Sequence, residues 1–226
     1  MDIFNNAEGN ENPIVEIKNS VMAKTFIWVA IALLVSSIAA FATYKSESLV
    51  LYRAYPVLII IELVVVIGLS FGLRKMPLWL SATLFMTYSI LNGITFSALF
   101  YVYELGSIAT IFIETAAVFA VLAVLGYTTN VDLQKWSVAL SVMLCVGLFV
   151  SIINLIIGSS MIQIGLTWAM LILFFVLVIY DTQKIKVMAS EGMIEDNKLA
   201  IYGAMQLYLD FINIFIRILA LFGKRK

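Results

Sequence analysis

The sequence predicts an all-α membrane protein, a polytopic bundle of seven transmembrane helices. Three observations carry that reading. Hydrophobic residues make up 63% of the 226 and charged residues only 12%, where soluble domains average about 25% charged. Runs of the length that a ~30 Å hydrocarbon core requires, ~20 apolar residues, recur along the chain, with most of the charge in the short segments between them. Finally, these runs are apolar on all sides rather than alternating over ~10 residues, which argues against barrel strands.

In chain order the spans are expected near Thr25–Thr43, Val57–Leu73, Leu78–Phe100, Ile108–Tyr127, Trp136–Ile157, Met161–Tyr180 and Ile201–Leu221. Pro56 and Pro77 stand where spans 2 and 3 should begin, a position that tolerates a missing N–H. Trp79, Trp136, Tyr101, Tyr103, Tyr127 and Tyr180 fall at or near proposed ends, where amphipathic rings favour the interface. Residues 1–22 read as a polar tail, 23–223 as the membrane domain and 224–226 as a basic tail. The polar start does not resemble a cleavable signal, so span 1 is expected to direct its own insertion. Lys18, Lys24, Arg74, Lys75, Lys135, Lys184, Lys186 and Lys198 would share the inner side with the N-terminus. They outnumber Lys45, Arg53 and the basic tail on the other side, which favours a cytoplasmic N-terminus.

Composition also narrows the chemistry. Histidine is absent, which removes His-based nucleophile systems, zinc sites and pH switches. Proton chemistry falls to carboxylates, Tyr or Lys. Basic and acidic residues number 14 each, which gives no sign of nucleic-acid binding. The one cysteine, Cys145, reads as a small packed residue within span 5.

A charge at mid-bilayer costs about 2.5–3.5 kcal/mol on insertion scales, so each intramembrane charge needs a partner, water or a proton. Glu62 in span 2, Glu114 in span 4, Asp181 at the end of span 6, and Asp210 and Arg217 in span 7 are the candidates. Tyr202, Gln206, Asp210, Asn213 and Arg217 recur at helical spacing and form one stripe, which should face other helices or a wet cavity. Interhelical hydrogen bonding is an equal reading for Gln206 and Asn213. Asp181, followed by Lys184 and Lys186, reads from spacing alone as an interfacial carboxylate. Glu62 and Arg74 are about 18 Å apart along one helix at 1.5 Å per residue, too far to pair within it.

Two segments carry a resemblance. Tyr180-Asp181-Thr182-Gln183-Lys184-Ile185-Lys186 and Leu207-Tyr208-Leu209-Asp210-Phe211-Ile212-Asn213-Ile214-Phe215 closely resemble the end of bacterial Bax inhibitor-1 proteins, the prokaryotic branch of the transmembrane Bax inhibitor motif family. Gly126-Tyr127-Thr128-Thr129 with Asp132-Leu133 is similar to the same family, as is the placement of Glu62 and Glu114. The resemblance covers spans 2 to 7. It implies six helices around a central seventh, and a pH-sensitive Ca²⁺ leak in a bacterial inner membrane. It further implies that Asp181 and Asp210 pair as the proton sensor and are the carboxylates that would meet Ca²⁺. Arg74, in a slightly displaced register, is the nearest match to an arginine that helps hold the pore closed. Glu62, Glu114 and Asn213 are the candidate ion-path residues. Ca²⁺ would be the transported ion and the proton the regulator, with no cofactor.

Two other classes remain open at this level. Intramembrane aspartyl proteases also place a Tyr-Asp in span 6 and an aspartate in span 7, where two carboxylates sharing a proton are catalytic. Their second aspartate follows Gly-x-Gly, whereas this chain has Tyr208-Leu209-Asp210, and no proline follows Pro77. A regulatory partner of a membrane-bound protease, or of stress survival, is the third reading, with the polar N-terminal segment as its handle.

Overall fold

The computed structural model describes residues 13–46, 57–58, 60–62, 64–69, 76–192 and 194–226. Its elements are α1 (Pro13–Ser46), α2 (Ile60–Leu69), α3 (Leu78–Phe96), the short α4 (Leu99–Val102), α5 (Leu105–Thr128), α6 (Ser137–Ile157), α7 (Ser160–Glu191) and α8 (Asp196–Phe222). Spans 4 to 7 of the sequence correspond to α5, α6, α7 and α8. Among the described residues, six helices are long and apolar enough to cross a membrane, and α2 is a shorter apolar helix. The protein is an all-helical integral membrane protein. Its outer faces carry bare hydrophobic side chains, as at Leu155 (84% exposed) and Ile156 (85%), because lipid rather than water solvates them.

Helix ends follow local chemistry. Pro77 caps the start of α3. Ser159 accepts a hydrogen bond from the Ile162 N–H at the start of α7. Gly158 and Gly192 end α6 and α7 with φ of 70° and 64°, a left-handed turn that glycine adopts without a Cβ penalty. Several boundaries differ from the sequence reading; α8, for one, begins at Asp196 rather than Ile201. α1 begins at Pro13, well before Thr25, and already buries Val21 and Met22. Span 3 ends at Phe96 and is followed by the separate α4. α7 continues to Glu191 rather than stopping at Tyr180, so Asp181 lies in the interior of the helix.

The bundle has two ends. At the proximal end, Lys24 near the start of α1 bonds Asn197 at the start of α8 (3.0 Å). At the distal end, the α1 residue Tyr44 stacks on Phe100 of α4. α1 and α3 are therefore parallel: Ser36 meets Ser89 and Tyr44 meets Phe100. α2 lies between these two parallel helices in the chain.

α8 packs against α1, α3, α5 and α7. Half of its span is buried inside the protein, against 17% for α6, which lies at the periphery. Phe211 and Phe215 of α8 stack edge-on with Phe112 of α5, and Phe211 also with Phe119. Tyr208 packs among Phe85, Tyr88 and Ser36, and its hydroxyl lies 2.7 Å from Ser36 Oγ. Cys145, expected to be packed, is exposed on α6. Apolarity does not separate core from surface where both sides are apolar.

Candidate functional site: an aspartate pair between α7 and α8

Small residues bring the helices of the site together. A Cβ at Gly126 of α5 would stand 2.5 Å from the Ile179 carbonyl oxygen and 2.9 Å from Thr182 Cβ. A Cβ at Gly203 of α8 would stand 2.7 Å from Ile185 Cδ1. α7 is thus drawn against α5 on one side and α8 on the other, the close approach that small residues permit in membrane bundles. Asp181 lies between these two contact points and faces α8.

There it meets Asp210. The two are 6% and 4% exposed, and their carboxyl groups lie close enough to interact. Carboxylates are acceptors only, so a hydrogen bond between them requires a proton on one. Asp210 Oδ2 and the neighbouring Thr182 Oγ1 are buried with no hydrogen-bond partner. Beside the pair stands Lys184, its Nζ 5.7 Å from the Tyr180 ring and 5.8 Å from the Tyr202 ring, close enough to Asp181 for the charges to interact. Lys186 donates to the Tyr127 carbonyl (2.7 Å) and lies over its ring. Both lysines, which the sequence places after an interfacial carboxylate, are engaged by α5 or α8. Their signal was helical spacing from Asp181, which spacing alone could not connect to a second helix.

Gln183 closes the proximal end. Its Nε2 donates to the Val131 carbonyl (2.7 Å) and its Oε1 accepts from the Leu133 N–H (2.9 Å). The α5–α6 connection, with its Asp132-Leu133 motif, is fixed onto α7 two residues from Asp181.

The remaining candidates are distributed elsewhere. Glu62 of α2 accepts a hydrogen bond from Thr95 of α3, a partner that the sequence reading missed. It lies near Tyr88 and Tyr208. Glu114 is exposed on α5, in a distal cleft of about 660 Å³ shared with Glu104, Thr110 and Lys224, away from the pair. The stripe on α8 divides: Tyr202 and Asp210 are buried, whereas Gln206, Asn213 and Arg217 are partly exposed. Asn213 donates to its own helix at Leu209 O (2.8 Å), and Arg217 Nε is buried without a partner. Arg74 lies outside the described residues. Among the described residues, no cluster of three or more Cys, Asp or Glu could cage a metal ion.

The family model described as inhibitor of apoptosis-promoting Bax1 matches residues 18–226. The chain belongs to this Bax inhibitor family. Among its relatives, the inner membrane protein YbhL of Escherichia coli (strain K12) is 34% identical over 235 residues and covers 100% of both chains. An uncharacterized protein of Borreliella burgdorferi is 32% identical, covering 96% of this chain and 97% of its own. One of Deinococcus radiodurans is 32% identical over 90% of each. The family match includes both aspartates, Gly126, Gln183 and Gly203, so every described part of the site lies within the shared region.

Proposed function

We propose that this Bax inhibitor family member is a pH-sensitive Ca²⁺ leak in a bacterial inner membrane, gated by proton sharing between Asp181 and Asp210. The observation that carries the reading is the burial of these two carboxyls against each other at the α7–α8 contact. One proton lets them hydrogen-bond and holds the helices together. Loss of that proton leaves two like charges side by side in a poorly solvated site, which is costly. The sign follows: protonation favours the closed contact, and rising pH favours its opening.

Ca²⁺ prefers carboxylate and carbonyl oxygens. Two carboxylates without a cage would contact the ion briefly, as transport requires. Asp181 and Asp210 are the residues it would meet, with Glu62, Asn213 and Glu114 further along its path and Arg74 a latch on the closed state. The bundle is read as seven spans with α8 at its centre and the N-terminus in the cytoplasm. That orientation places Lys24, Lys135, Lys184, Lys186 and Lys198 on the inner side, as the positive-inside rule favours. The reading is not enzymatic: Asp210 follows Tyr208-Leu209 rather than the Gly-x-Gly of intramembrane aspartyl proteases.

Ca²⁺ entry into dye-loaded proteoliposomes, at a fixed Ca²⁺ gradient and stepped pH, tests the function. Flux should rise with pH over empty-vesicle controls. Flux equal to that of empty vesicles at every pH would remove the leak; flux without pH dependence would remove the gate.

A further inference from the structure

The basic tail at the distal end has no place in the proton gate, and the structure ties it to a groove. Beyond α8 the chain turns back along the α4–α5 connection. The Glu104 N–H bonds the Lys224 carbonyl (3.0 Å), the Lys226 N–H bonds the Val102 carbonyl (3.0 Å), and Lys224 N–H bonds Ser107 Oγ (3.0 Å). Lys226 Nζ donates to the Phe100 carbonyl (2.6 Å) and lies 5.5 Å from the Tyr44 ring. Lys45 Nζ lies 5.7 Å from the Phe41 ring. Phe41 and Tyr44 both pack against the Phe100 ring, so the two exposed ammonium groups crown a single aromatic cluster.

Phe100 also lines a groove of about 380 Å³ that runs between α1 and α5. Leu33 and Ala40 form one wall and Leu105, Ala109 and Phe112 the other; Ile212 and Phe215 of α8 are its floor. Its side-chain hydroxyls, on Ser36 and Ser37, are already bonded to Ala32 O and Leu33 O. The groove is therefore dry. Ile38 (68% exposed) and Ile113 (69%) flank it on the lipid-facing surface. An apolar slot inside the bilayer, ending beneath cations and aromatic rings at the interface, matches one amphiphile: hydrocarbon below, phosphate above.

We propose that the α1–α5 groove holds an acyl chain of an anionic phospholipid, whose phosphate is bound by Lys45 and Lys226. The lipid would rest directly on α8, the helix that carries Asp210. The site is independent of the proton gate and stands if the leak reading fails.

Native mass spectrometry of the full chain, released from detergent with added phosphatidylglycerol or phosphatidylcholine of identical chains, tests it. The wild type should retain phosphatidylglycerol at least about tenfold more than phosphatidylcholine, a difference set by charge. Lys45→Glu with Lys226→Glu should abolish that preference. Ala109→Trp, which fills the groove from its exposed wall, should reduce retention of both lipids while the helical circular dichroism stays unchanged. Equal retention of the two lipids by the wild type would overturn the proposal. So would an Ala109→Trp variant that binds phosphatidylglycerol as the wild type does, or dimers replacing lipid adducts.

Discussion

Asp210→Asn should flatten the pH response of Ca²⁺ flux and hold flux at its low-pH level. An asparagine amide can donate to the Asp181 carboxylate without carrying a titratable proton, so the α7–α8 contact stays bonded at every pH. Where wild-type flux changes by about tenfold or more between about pH 6 and about pH 8, the variant should change by less than about twofold, since one lost titration of about 1.4 kcal/mol is a factor of ten. The substitution is nearly isosteric, with the amide nitrogen in place of the oxygen facing Asp181 and the amide oxygen in place of Asp210 Oδ2, so folding should be preserved. A variant that keeps the wild-type pH profile would show that the sensor lies elsewhere.

The second large effect concerns stability. A Cβ at Gly93 of α3 would stand 2.4 Å from the Ser36 carbonyl oxygen and 2.7 Å from Ala39 Cβ. The Ser36 oxygen belongs to the backbone of α1 and cannot rotate away. Gly93→Ala must therefore push α1 from α3, stretching the Ser36 Oγ bond to the Ser89 carbonyl, now 2.8 Å. Overpacking of this kind costs about 1–3 kcal/mol, or roughly 2–10 °C in thermal midpoint for a chain of this size. Gly106→Ala, where nothing lies within 4 Å of the added atom, is the control and should melt as the wild type does. Ellipticity in detergent, followed with temperature, gives the comparison. Equal midpoints for the two variants would mean that the α1–α3 contact is looser than described.

The sequence made the spans legible because lipid imposes a length and an apolarity that few other environments require. Their ends were less legible. α1 and α7 continue as helices through Glu16–Lys24 and Asp181–Glu191, where polar residues replace apolar ones without interrupting hydrogen bonding. Helices that protrude from the bilayer have no compositional edge at the point where they stop. Within the site, Asp210 was visible through periodicity on α8, while Asp181 was joined to it only by resemblance. Nothing in one-dimensional spacing reports that Gly126 and Gly203 draw α7 into place. Lys184 was missed for the same reason: its neighbour Tyr202 is on another helix. Cys145 shows the converse limit, since an apolar helix face looks alike whether it meets lipid or protein.

In the proposed mechanism one proton, shared by Asp181 and Asp210, decides whether α7 and α8 remain in contact. Infrared difference spectroscopy of proteoliposomes, following the protonated-carboxyl stretch as pH is raised, tests this most directly. A band should disappear in the wild type with the same midpoint as the rise in Ca²⁺ flux, and should be missing from Asp210→Asn. A band that persists unchanged in Asp210→Asn, or a wild-type band whose loss does not track flux, would contradict it.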